Sequence, residues 1–199
     1  MKNWILFISL LLPLFCTAQN RGNIWCFGDS SGIDFNNLFS PTPIITSFDT
    51  RGSCVSVADT FGSLQFYANT RAATSGNTTL VWNSNHQLMQ NGDSILGRGW
   101  YNELLIIPLP SNDSIFYLFS IGVTSYFGLN YSVIDLSLNG GLGVVTQKNI
   151  QLQSFANVDC LNAIKHGNGR DWWVIFRKSG TLQAHPIILF TNIWLHLQE

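Results

Sequence analysis

One supersecondary unit recurs three times along this chain, and that recurrence limits the fold more than any single motif. Each copy is a short apolar strand, a polar turn of Gly, Asn, Asp or Ser, and an aromatic-rich returning strand. The copies are Cys54–Asp59 with Leu64–Ala68, Leu104–Leu109 with Ile115–Phe119, and Cys160–Lys165 with Trp172–Phe176. Their starts lie roughly fifty residues apart, the spacing of large β-propeller blades. A unit of this kind buries its apolar faces only against its neighbours, so the repeat predicts an architecture of stacked units.

Helical periodicity is nearly absent between the copies, and period-two alternation with β-branched and aromatic runs takes its place. Further strand material follows each hairpin: Thr79–Trp82 and Gln87–Met89, then Tyr131–Ile134 and Val144–Leu152, then Ile187–Phe190. Each unit therefore reads as four strands, the complement of one blade. Asn91-Gly92, Asn139-Gly140-Gly141 and Asn168-Gly169 supply residues that tolerate positive φ at tight reversals. The expectation is an all-β, propeller-like repeat of three four-stranded blades, with units at 54–102, 103–152 and 160–199. Upstream, Asn23–Phe27 and Ile33–Phe35 read as a small strand pair, of the sort that completes the last blade in a closed propeller.

The N-terminus carries Lys2, an uncharged run from Trp4 to Phe15, and small residues before Gln19. That order is a secretory signal peptide over 1–18, with an apolar run too short to span a bilayer. The partial propeller then occupies 19–199, secreted or at the cell surface, with no membrane span in the mature chain. Charged side chains make up 11% of the sequence with a net charge of −1, which leaves no electrostatic footprint for nucleic acid.

Cys26, Cys54 and Cys160 remain after cleavage, an odd count without zinc spacing. Cys26 and Cys54 form a disulfide if their strands are neighbours, or both are buried as small apolar residues. Cys54 and Cys160 fall at matching places in two copies, which points to a shared packing role. No metal or cofactor is expected, although calcium held by backbone carbonyls leaves no trace in a sequence.

Several segments carry a family resemblance: Asn23–Phe35, Gly62–Tyr67, Val81–His86 with Met89–Gly92, Tyr131–Gly143 and Ala163–Val174. The Asn-Gly-Gly-Leu-Gly and Lys-His-Gly-Asn-Gly-Arg-Asp-Trp-Trp stretches are the most specific. Together they resemble the N-terminal propeller region of large secreted bacterial proteins that end in a type IX secretion sorting domain or a gliding-motility-associated domain. The resemblance implies a non-catalytic surface scaffold or binding module. Proteins of that family continue through more blades, so the chain reads as a fragment whose further partners are the missing downstream blades of the same polypeptide.

Two catalytic readings compete with this one. Phe27-Gly-Asp-Ser30 is similar to the nucleophile context of GDSL-type esterases, which would make Ser30 the nucleophile. The supporting Gly-x-Asn-Asp and Asp-x-x-His elements that such chemistry needs are absent, and Gly28–Gly32 reads as a turn joining two strands. A glycosidase needs two carboxylates across a cleft, whereas Asp59, Asp113 and Asp171 sit at equivalent hairpin turns, where carboxylates bond their own backbone. The histidines His86, His166, His185 and His196 show no metal-ligand spacing. For binding of an extracellular glycan or protein, the candidates are the turn aromatics Trp82, Trp100, Tyr101, Tyr126 and Phe127, because sugars stack on flat rings.

Overall fold

The computed structural model describes residues 20–48, 52–71, 78–97, 102–110, 112–122 and 127–179, together with the backbone of 187–191 and 194–197. The signal segment 1–18 and the candidates Trp100, Tyr101 and Tyr126 lie outside the described residues.

The described chain forms four antiparallel sheets, each a meander whose strands follow chain order. Sheet A holds β1 (Ile24–Phe27), β2 (Ser31–Asp34) and β3 (Thr42–Ile45). Sheet B holds β4 (Cys54–Ala58), β5 (Leu64–Thr70), β6 (Thr78–Asn83) and β7 (Ile95–Leu96). Sheet C holds β8 (Leu104–Leu109), β9 (Asn112–Ile121), β10 (Leu129–Asp135) and β11 (Val144–Gln153). Sheet D holds β12 (Asn157–Lys165), β13 (Trp172–Lys178), β14 (Ile187–Thr191) and β15 (Trp194–Leu197). No described helix is long and apolar enough to cross a membrane.

Sheets B, C and D are the three repeat units, and each has the expected four strands. The fourth strand of sheet B is Ile95–Leu96 rather than Gln87–Met89. Residues 87–89 instead hug β6 through a bridge from Leu88 to Trp82, which places Met89 in the core. The N-terminal pair acquires a third strand and becomes a sheet of its own. The expected strand Ile187–Phe190 is β14, and Trp194–Leu197 beyond it forms β15, paired antiparallel with β14.

Alternation along the strands gives each sheet two apolar faces, and these stack in series. Ile24 and Cys26 of sheet A pack on Ala58 and Tyr67 of sheet B. Phe66, Ala68 and Val81 on the other face of sheet B meet Leu104, Phe116 and Leu118 of sheet C. Phe119, Ile121 and Leu129 on the far face of sheet C meet Leu161, Val174 and Phe176 of sheet D. Each interface is therefore a layer of apolar side chains, of which each large one contributes about 1.5–3 kcal/mol on burial.

The matching strand–turn–strand order of the copies predicts Tyr67, Tyr117 and Trp173 at corresponding positions, and the parity of the faces corrects this for the first copy. Tyr67 faces the opposite way from Tyr117 and Trp173. Tyr67 faces back toward sheet A, while Tyr117 faces forward toward sheet D. In sheet D it is Trp172 that faces back onto sheet C. The registers explain it: Tyr67 pairs with Ser56, the third residue of β4, whereas Tyr117 pairs with Ile107, the fourth of β8. A one-residue offset exchanges the two faces of a strand.

The cysteines diverge in the same way. Cys26 is buried, Cys54 half-buried and Cys160 exposed, and all three are free thiols. Cys160 lies in a register shift between Val158 and Asn162 with φ at 99°, so the bulge turns it out of the face that Cys54 occupies. The shared packing role expected for Cys54 and Cys160 is not realised.

Candidate functional site

The first strands of the four sheets lie side by side, and hydrogen bonds lace them together. Ser56 of β4 donates its hydroxyl to the Ile24 carbonyl at 2.7 Å and accepts from the Cys26 amide at 3.3 Å. The Glu103 amide, just before β8, donates to the Ser53 hydroxyl at 2.8 Å. The Leu161 amide of β12 donates to the Asn102 carbonyl at 2.9 Å. Between these strands runs a groove. One part, about 460 Å³, is apolar and lies between β1, β4 and β8, with Cys26, Cys54 and Leu105 among its walls. The other part, about 590 Å³, opens at the hairpin turns of sheets C and D. Ser56 and Ile106 border both.

The wide end has a distinct chemistry. Its walls carry the cations Arg21, Lys165 and Arg170, a single carboxylate, Asp113, and the indole of Trp172. The whole chain has 10 cations against 11 carboxylates; here Arg21 pairs with Asp113 and Arg170 with Asp171, and Lys165 adds a positive charge beyond these pairs.

Each cation is placed by local structure. The Ala58 amide donates to the Arg21 carbonyl at 2.9 Å, which fixes the N-terminal segment beside the end of β4. From there Arg21 Nη2 reaches Asp113 Oδ1 at 2.7 Å on the β8–β9 hairpin. Arg170 belongs to the tight β12–β13 turn, where Gly169 adopts φ 73° and the His166 amide donates to the Asp171 carbonyl at 2.8 Å. Asn168 accepts from the amides of Arg170 and Asp171, both at 3.0 Å. Asp171, buried behind this turn, accepts from Arg170 Nε at 2.9 Å and Asn168 Nδ2 at 2.6 Å. The Arg170 hydrogen bond, helped by Asn168, holds the Asp171 carboxyl below the usual carboxylate range. Lys165 ends β12 with its Nζ 5.8 Å from the centre of the Trp172 ring, within the reach of a cation–π contact.

Of the three turn aspartates, only Asp59 behaves as a turn residue should, accepting from the Phe61 and Ser63 amides at 2.8 and 2.9 Å. Asp113 and Asp171 pair with arginines instead. Ser30 sits in a turn with φ 60°, and its hydroxyl donates to the Phe48 carbonyl at 3.2 Å. His86 lies elsewhere, sharing a 2.9 Å hydrogen bond with the Tyr67 hydroxyl. Among the described residues, no group of three or more His, Cys, Asp or Glu is placed to hold a metal ion.

The aromatic candidates are not brought together. Trp82 is a half-buried strand residue rather than a turn residue: its Nε1 donates to Asn69 at 2.7 Å, and its ring stacks on Tyr67 at 6.4 Å. Phe127 is partly exposed on the β9–β10 connection, and neither residue borders the groove. Sequence reasoning passed over Arg21, Lys165, Arg170 and Trp172 as a set. Their one legible signal was a Lys, an Arg and a Trp within eight residues across a hairpin turn. No family model, curated protein or solved structure matches the chain.

Proposed function

We propose that the chain is a non-catalytic, propeller-like binding module of an exported or cell-surface protein, with the groove between its first strands as the binding site. The observation that carries this reading is the side-by-side placement of β1, β4, β8 and β12, laced through Ser56, Ser53 and Asn102. In propellers the strands nearest the axis surround a central channel, and serial stacking of meander sheets is the arrangement that brings first strands together. The resemblance to type IX secretion and gliding-motility-associated proteins points the same way, as does the reading of 1–18 as a secretory signal peptide.

Binding is favoured over hydrolysis by the groove's chemistry. Hydrolysis of a glycoside needs two carboxylates about 5–9.5 Å apart, and the wide end offers Asp113 alone, already paired to Arg21. Esterase action through Ser30 needs a base on its hydroxyl, and that hydroxyl faces a carbonyl.

Both ends of the stack resemble internal interfaces. Sheet A turns Trp25 and Ile45 outward, 57% and 81% exposed, and sheet D turns out Ile164, 58% exposed. Further sheets of the same polypeptide would cover such faces, in keeping with a module of a larger protein. The test pairs an ester and glycoside substrate panel, run on the chain and on Ser30→Ala, with retention of the chain on extracellular polysaccharide. Retention without turnover is expected. Turnover that disappears in Ser30→Ala would overturn the reading in favour of a hydrolase. Intact mass of the exported protein checks the leader, with cleavage after Ala18 expected and retention of Met1–Ala18 contradicting export.

A further inference from the structure

Resting on the binding-module reading, we propose that the wide end of the groove recognises an anionic carbohydrate, a glycan whose uronic-acid carboxylates meet Lys165 and Arg170 while a sugar ring lies against Trp172. The volume, about 590 Å³, is that of a small-ligand site. Three cations border it: Arg21 pairs with Asp113 and Arg170 with Asp171, and Lys165 adds a positive charge beyond these pairs.

Arg170 is held in place before any ligand arrives. Arg170 uses Nε and Nη2 on Asp171, at 2.9 and 3.3 Å, which fixes the plane of the guanidinium and leaves Nη1 on the same rigid fork. A guanidinium held this way loses little entropy when it takes a carboxylate. Lys165 is exposed, with its ammonium 5.8 Å from the centre of the Trp172 ring. An ammonium leaning on an indole can turn to a carboxylate and uncover the ring for a sugar face. Gly169 adds to the opening, because nothing lies within 4 Å of where a side chain on it would begin.

An acidic peptide shares the charge but suits the geometry less well. Peptides that dock on β proteins usually extend along a free strand edge. Here Arg170 and Gly169 lie in the β12–β13 turn and Asp113 beside the β8–β9 turn, so the charged wall is made of hairpin ends rather than one continuous edge. An aromatic ring flanked by cations at hairpin ends fits the flat face and pendant carboxylate of a uronic acid.

Calorimetric titration of the full chain with trigalacturonic acid, its methyl ester and hexaglutamate tests the proposal at low and high salt. The acid is expected to bind at least tenfold more tightly than the ester, with the preference shrinking as salt rises. Lys165→Met, on an exposed side chain, should weaken the acid at least fivefold and spare the ester. Trp172→Leu should weaken both, and its circular dichroism reports whether the C–D interface has survived. Equal affinity for acid and ester would overturn the charge selection while leaving a neutral-glycan module standing. Hexaglutamate binding as tightly as the triuronate would overturn the carbohydrate assignment in favour of an acidic protein partner. Absence of binding by all three would overturn this proposal, and retention on polysaccharide would then judge the binding-module reading separately.

Discussion

Stacking of sheet B on sheet C makes a quantitative demand on two phenylalanines. Phe66 and Phe116 are both fully buried, come from repeat units fifty residues apart in chain order, and meet edge to face with ring centres 5.3 Å apart and planes at 78°. Truncating either to alanine removes buried ring area and leaves a cavity, a loss of about 3–5 kcal/mol. An edge-to-face pair adds about 0.5–1.5 kcal/mol beyond burial, so the double variant should lose less than the sum of the singles by about that amount. In urea, with a slope of about 2 kcal/mol per molar, each single variant should unfold about 2 M earlier. Phe61→Ala is the internal control: its ring, 85% exposed, should shift stability by no more than about 0.5 kcal/mol. Chemical denaturation followed by tryptophan fluorescence reads all four. If the Phe66 and Phe116 losses add to within about 0.3–0.5 kcal/mol, the rings do not touch and sheets B and C are not stacked through these faces.

Two further predictions rest on the cysteines and on Asp171. Burial pushes the Cys26 thiol up to about 12 while Cys160 is exposed, so a maleimide added to the native chain should label Cys160 first and spare Cys26 until the chain unfolds; peptide mapping that finds Cys26 labelled as fast as Cys160 would contradict this burial. Because Arg170 lowers the Asp171 pKa in the fold, the ionised carboxylate stabilises the fold above the unfolded value of about 3.9, and that contribution is lost as pH falls through the lower folded value. The melting temperature of Asp171→Asn should therefore lie furthest below that of the natural chain above pH 5, with the gap closing below pH 4; a gap independent of pH would contradict the Arg170–Asp171 coupling.

The sheets were more legible than the groove. Runs such as Leu104–Leu109 and Trp172–Phe176 announce themselves because alternation and aromatic content are local, and the hairpin turns are marked by Asn-Gly pairs. Local pattern is silent where tertiary contact decides. Thr42–Ile45 contains Pro43, a poor strand residue, yet it pairs with β2 because the proline sits on an edge strand, where a missing amide is tolerated. Ile95–Leu96 is too short to show any period. The face to which Tyr67 or Tyr117 belongs depends on a one-residue register offset set by the turn and its bulge, and the exposure of Cys160 depends on another. The groove is hardest of all to read, since Arg21 and Asp113 are separated by 92 positions and meet only through the stacking of three sheets. Aromatic residues drew attention as ligand platforms, but Trp82 is held by Asn69 and Tyr67. The indole at the groove, Trp172, belongs to the returning strand of the third copy and packs against the core as well.

The most direct test of the stacked order is a zero-length cross-link across the groove. Arg21 and Asp113 meet at 2.7 Å with Asp113 87% exposed, and Lys148 and Asp93 meet at 3.2 Å between sheets B and C. Carbodiimide treatment of dilute Arg21→Lys chain, followed by peptide mass spectrometry, should join position 21 to Asp113 and Lys148 to Asp93 within single molecules. A chain that forms the Lys148–Asp93 link but never joins position 21 to Asp113 would contradict the convergence of the N-terminal segment and the β8–β9 hairpin on one groove.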